Sequence, residues 1–139
     1  MKKAILILMS VALFATYSFA GNPPAEVQKA FEIKFPKATN VKWGKENATE
    51  WEANFVFNGT KGSANFSADG KWMETEMEIP TSQLPEAVVL AIKKQFADFA
   101  IVGADKIDNA KTETLYEADL KSGMKKKEVI FKADGTFVK

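Results

Sequence analysis

Residues 24–72 and 85–137 repeat one pattern, and that duplication restricts the fold more than any other feature of the chain. Displaced by sixty-one positions, Pro24, Val27, Ala30, Phe35 and Val41 fall on Pro85, Val88, Ala91, Phe96 and Val102. After four inserted residues the match resumes. Trp51-Glu52-Ala53 falls on Tyr116-Glu117-Ala118, Phe66 on Phe131, Ala68-Asp69-Gly70 on Ala133-Asp134-Gly135, and Trp72 on Phe137. Both copies keep apolar spacing and turn chemistry, which is what a structural repeat must keep.

Each copy opens with a helix signal. Pro24 and Pro85 suit the first helical position, where a missing N–H costs nothing. Val27, Ala30, Phe31 and Phe35, or Val88, Ala91, Ile92 and Phe96, then recur at helical spacing. The first helix is predicted over about 24–35, stopped by Pro36, which pushes its predecessor out of helical geometry. The second is predicted over about 85–97. Strands follow: Trp51, Ala53, Phe55 and Phe57 alternate with Glu52 and Asn54, and Ala64, Phe66 and Ala68 with Ser63, Asn65 and Ser67. Such alternation describes a sheet buried on one face and wet on the other. Asn58-Gly59, Gly62, Asp69-Gly70, Ser122-Gly123 and Asp134-Gly135 read as hairpin turns. One copy, at under about 60 residues, would be marginal alone. The expected fold is therefore α+β: a tandem repeat of one helix and three or four antiparallel strands, sharing one long sheet of about eight strands with both helices on one face. Repeat 1 spans 21–80 and repeat 2 spans 81–139, joined through Ile79 to Gln83.

Residues 1–20 stand apart from the repeats. Lys2 and Lys3 precede an apolar run from Ala4 to Phe14, and Ser18-Phe19-Ala20 offers a small-x-small cleavage site, the pattern of a secretory signal peptide. The run is broken by Ser10, Thr16 and Ser18, short of the roughly 20 apolar residues a membrane span requires. Cleavage after Ala20 would take 139 residues to 119 and the 19 basic residues to 17 against 18 acidic, a net charge of −1. A periplasmic or secreted monomer without a stable membrane anchor is expected. The chain has no Cys, so its stability rests on the core alone. Every basic residue is Lys, and a near-neutral chain without the arginine fork excludes nucleic acid as a partner class.

A Pro-led helix ending in Phe-Pro or Phe-Ala, an aromatic-Glu-Ala strand and a Phe-x-Ala-Asp-Gly hairpin all occur twice. In these motifs the chain, from Pro24 to Lys139, resembles the PepSY-like proteins grouped with the β-lactamase-inhibitor-protein fold. The resemblance implies an exported tandem α+β domain whose open sheet face or loops are available to a protein partner, with an envelope protease or another exported enzyme as the class of target. The chain departs from the inhibitors in having no disulfide and no matching inhibitory loop, so inhibition of β-lactamase is not carried over.

With no His and no Cys, the commonest general base, the thiolate nucleophile and most transition-metal ligands are missing. No enzyme activity, cofactor or metal is expected. Glu74, Glu76 and Glu78 share one strand face at the right period for a carboxylate pair, but a solvated face is the simpler reading. Asp105, Asp108 and Asn109 to Glu113 gather oxygen ligands without the rhythm of a calcium loop, and read as an ordinary polar loop. Lys125-Lys126-Lys127 reads as an edge strand guarded against association.

Trp72 has two readings. With a two-residue loop at Asp69-Gly70 it faces out beside Glu74 and Glu76; with a three-residue loop and a Gly bulge it packs on Phe66 and the glutamates turn inward. Unpaired buried carboxylates favour the first. The expected partner-binding site is thus the open face around Trp72, Glu52, Asn54, Asn65, Ser67, Glu74 and Glu76, an aromatic anchor among polar groups. The expected function is non-catalytic binding of an exported protein; the alternative is binding or sensing of a small ligand, a peptide or glycan, in the cell envelope.

Overall fold

The computed structural model of the chain describes residues 21–139 except Thr112. The signal-peptide reading of residues 1–20 lies outside the described residues. The elements run α1 (Ala25–Lys34), β1 (Thr39–Lys45), β2 (Glu50–Phe57), β3 (Thr60–Ser67), β4 (Trp72–Glu78), a 3-10 turn (Thr81–Gln83), α2 (Glu86–Gln95), β5 (Ala100–Asn109), β6 (Thr114–Ser122) and β7 (Lys125–Lys132). All seven strands form one antiparallel sheet in sequence order. The sheet has seven strands, four after the first helix and three after the second, as expected of three or four per repeat.

Pro24 and Pro85 sit one position before the first helical residue, with φ near −53° in both. Their carbonyls accept the opening N–H groups: Val27 and Gln28 donate to Pro24, Val88 and Val89 to Pro85. Both helices end at a phenylalanine cap whose N–H reaches back one turn, Phe35 to Phe31 and Phe96 to Ile92. The second helix therefore ends before the predicted Ala97, because the Phe cap stops it in the way it stops the first, with no proline needed.

Each helix turns its apolar stripe onto the same face of the sheet. Val27, Phe31 and Phe35 pack on Trp51, Ala53, Phe55, Ala64 and Phe66, while Val88 and Ile92 pack on Ala104, Ala118, Leu120, Val129 and Phe131. Phe31 meets Phe55 and Trp43 edge-on at centroid distances of 5.1 and 5.2 Å, the geometry aromatic quadrupoles prefer. The equivalent positions Phe66 and Phe131 are both 0% exposed.

The turns tie sheet to helix. Gly70 and Gly135 both have φ of +84°, and a Cβ there would lie 2.8 Å from the Glu26 carbonyl oxygen or 2.6 Å from that of Ala87. The two Asp-Gly turns thus press against the first turns of α1 and α2, where only glycine combines the left-handed backbone with the close approach. Asn58 and Gly59, both at positive φ, make the two-residue hairpin read from the sequence. Gly62, read as a turn, instead lies inside β3 opposite Phe55 and Met77. A Cβ there would fall 2.3 Å from the Met77 sulfur, so this glycine admits a side chain from the next strand.

Two further expectations need correcting. Residues Asp105 to Asn109 are not a loop but the end of β5, so Asp105 and Asp108 point to opposite faces. Trp72 is on the helix face. Ser67 N–H donates to the Lys71 carbonyl around the three-residue loop Ala68–Gly70, Phe66 pairs with Trp72, and the ladder then skips to Asn65 against Glu74. Met73 is the extra residue of a β-bulge, which lets Trp72 pack inward while Glu74 and Glu76 remain outward. Neither simple register allowed both.

Candidate functional site

The pairing registers place the residues of the uncovered face in rows. One row reads Gly44, Glu52, Asn65, Glu74, Asn109; the next reads Lys42, Asn54, Ser63, Glu76, Ile107, Leu115, Lys132. Farther along, Glu78 pairs with Asp105, Asp105 with Glu117 and Glu117 with Ile130, and the last row runs Gly103, Asp119, Glu128. Because side chains alternate with period two, all of these share the face opposite the helices.

The face is wet at its margins and dry at its centre. Ile107 and Leu115, side by side, are 2% and 4% exposed, and neither belongs to the clusters under the helices. Around them stand carboxylates. One oxygen from each of Glu76, Asp105 and Glu117 lies within 4.8 Å of the others, and Glu117, Asp119 and Glu128 form a second such group. Glu117, shared by both, is 4% exposed. Ion pairs join Lys71 to Asp69, Lys106 to Asp108 and Lys132 to Glu113, and among the described residues none of the five carboxylates takes part in one.

Their protonation reflects that imbalance. Burial, then the charges of Glu117, Asp105, Glu74 and Glu52, push the Glu76 carboxyl up to about 9. Burial, followed by Glu128, Asp105 and Asp119, raises Glu117 to about 8 against a weak opposing pull from Lys139. Asp105 rises to about 6, again by burial first, then Asp119, Glu78 and Glu128. Each shift means that the ionised form lacks the water or counter-charge it needs. Glu76 is therefore not part of a solvated strand face, as the sequence suggested.

Of the residues predicted for the site, Glu52, Asn54, Asn65, Glu74 and Glu76 do share the open face. Asn54 donates to Glu52 at 3.2 Å. Ser67 lies at the hairpin end, where its hydroxyl donates to Asp69. Trp72 is excluded: its indole N–H donates to the Thr75 hydroxyl at 2.8 Å, and Lys34 Nζ sits 3.7 Å from its ring centroid, a cation–π contact on the helix side. Glu117, Asp119 and Glu128 were missed, and Asp105 was assigned to a polar loop. Their signal was present, since Glu117 is the repeat equivalent of Glu52 and Asp119 follows it by two.

Residues 49–139 match the family profile described as "Putative beta-lactamase-inhibitor-like, PepSY-like". The chain belongs to the PepSY-like family. Solved structures share the fold of this PepSY-like chain. One of the "putative periplasmic proteins" of Bacteroides eggerthii is 20% identical, with 86% of this chain and 88% of that chain covered and a TM-score of 0.76. A BLIP-like protein of Bacteroides fragilis is 22% identical over 86% of this chain and 85% of that chain, with a TM-score of 0.69. No curated protein matches the PepSY-like chain. Among its described residues no helix is long and apolar enough to cross a membrane.

Proposed function

We propose that the protein is an exported, non-catalytic binding module of the bacterial envelope, and that its working surface is the open face of the sheet. The observation that carries this reading is the asymmetry of the fold. Both helices cover one face, and the other presents a dry centre of Ile107 and Leu115 bordered by Glu76, Asp105, Glu117, Asp119 and Glu128, none of which takes part in an ion pair among the described residues. A partner supplying apolar contact and positive charge is complementary to it. The inhibitor-like description of the family and the BLIP-like neighbour support a protein partner, with an exported enzyme or protease as its class. The periplasmic description of the other neighbour supports the location. The lack of His and Cys in the chain supports a non-catalytic role.

The test is cross-linking and recovery from envelope extract with three proteins: wild type, Glu52→Lys/Asn65→Lys on the open face, and Trp72→Ala on the helix face. A partner kept by wild type and Trp72→Ala but lost by the double variant is expected. Equal recovery of every cross-linked protein by all three would refute the assignment.

The small-ligand alternative has its own place in the structure, a cleft of about 250 Å³ beside α1 lined by Phe31, Phe35, Val41 and Trp43. Peptide or glycan ligands that raise the melting temperature of wild type but not of Trp43→Ala would favour it.

A further inference from the structure

The open face gathers its carboxylates in a geometry that protein contacts alone do not explain. Glu76, Asp105 and Glu117 come from three adjacent strands, yet one oxygen of each lies within 4.8 Å of the other two. That spacing is about twice a calcium–oxygen bond. Ionised carboxylates so placed repel, and either protons or a cation between them relieves the repulsion.

Glu117 supplies an independent observation. It is 4% exposed, and among the described residues no donor hydrogen-bonds its carboxylate and no cation forms an ion pair with it. Buried carboxylates are normally paired, hydrogen-bonded or bound to metal. No buried side-chain oxygen of the described residues is sealed off without a partner, and one Glu117 oxygen lies within 4.8 Å of an oxygen from each of Glu76 and Asp105. A third detail concerns room. A Cβ on Gly103 would fall 2.4 Å from Asp119 Oδ2, so the bare glycine leaves space for that carboxylate to lie over β5 beside Glu117. The second group, Glu117, Asp119 and Glu128, then borders the first.

We propose that Glu76, Asp105 and Glu117, with Asp119 and Glu128 alongside, hold a divalent cation of the calcium class on the open face. The donor set is oxygen only, which selects hard cations over zinc or copper. Magnesium demands a compact octahedron and keeps most of its water, whereas calcium accepts six to eight oxygens in irregular array and suits carboxylates drawn from three strands. The site does not rest on the partner reading, since the cation binds whether or not a protein docks on the face.

The experiment is calorimetric titration of the chelator-treated protein, as the producing cell exports it, with CaCl₂ alone at pH 7.5, alongside thermal melts. One saturable site is expected, with Kd in the range of about 10⁻⁴ to 10⁻³ M found for extracellular calcium modules. At ten times Kd the melting temperature should rise by about 5 °C. Glu117→Gln should weaken binding at least about tenfold, as loss of one charged ligand does, while Glu86→Gln on the helix side should bind like wild type. If Glu117→Gln does not fold by circular dichroism, Asp105→Asn decides in its place. No saturable heat up to about 10 mM calcium, an order above the weakest such modules, or equal binding by the ligand variant and wild type, overturns the proposal. Tighter binding of MgCl₂ than of CaCl₂ overturns the calcium assignment.

Discussion

Glu117→Gln should stabilise the fold at alkaline pH and cost about 1–3 kcal/mol at acid pH, where only the unpartnered amide counts. The wild-type carboxyl is raised from the ordinary 4.5 to about 8, chiefly by burial and then by Glu128, Asp105 and Asp119. The sign follows from proton counting. Between those two values the folded chain holds a proton that the unfolded chain has released, so stability is full below pH 4.5 and falls as pH rises through about 8. A shift of that size corresponds to a ceiling of about 5 kcal/mol at about 1.4 kcal/mol per pH unit. The neighbouring Asp105, Asp119 and Glu128 share the titration, and the new amide lacks a partner, which offsets about 1–3 kcal/mol. A net gain on the order of 2 kcal/mol at pH 8 remains, or about 8 °C in melting temperature at roughly 4 °C per kcal/mol for a domain of this size. Thermal melts of both proteins in chelator-containing buffer at pH 4 and pH 8 measure it. At pH 4 both side chains are neutral, so the difference between the two pH values isolates ionisation. A variant-minus-wild-type difference identical at the two pH values would refute the claim that Glu117 is buried without a counter-charge.

Three other perturbations probe the frame that positions the face. Trp72→Ala should destabilise by about 2–3 kcal/mol, below a fully buried tryptophan because the residue is only partly buried, and denaturant melts check it. Gly135→Ala and Gly70→Ala should each destabilise by more than about 1 kcal/mol, since both force a side chain into a left-handed backbone against a helix carbonyl; Gly123→Ala, with open space around it, should be the milder of the three in the same melts. Phe131→Ala should destabilise by about 3–5 kcal/mol and melt both halves in a single transition, read by two probes, because β4 and β5 pair through five residues.

Much of the frame was legible because it obeys local rules. The alternation Trp51, Ala53, Phe55 survives in the structure as a buried stripe, and its sequence equivalent Ala118 sits at 0% exposure as Ala53 does. Phe35 and Phe96 were visible as the last helical apolar positions, and both cap their helices. What failed was register, which hangs on single residues. The Met73 bulge shifts Trp72 to the opposite face with no mark in composition or periodicity, since a two-residue and a three-residue loop both fit Asp69-Gly70. The repeat itself held the better guide. Trp72 aligns with Phe137, and both meet the equivalent phenylalanine, Trp72 opposite Phe66 and Phe137 bridged to Phe131. Two aromatics at one repeat position argue for the helix face more strongly than a preference about loop length does.

The carboxylate cluster escaped for a different reason, and that reason bears on what the face does. Glu76, Asp105 and Glu117 are separated by up to 41 positions and converge only when β4 pairs with β5, where the strands of the two halves meet. Each residue on its own strand looks like ordinary solvated alternation, and Asp105 looked like part of a loop. Cores form wherever apolar side chains meet, so a pattern within one strand reveals them. A site built across strands depends on which strands become neighbours. Here the join that makes one sheet out of two helix-led halves also brings acids from both into contact. An isolated half would carry Glu76 or Glu117 but not both, so the raised Glu76 carboxyl, pushed up by burial and then by Glu117 and Asp105 from across the join, belongs to the joined molecule, and any perturbation that loosens β4 from β5 should relax it before it unfolds either core.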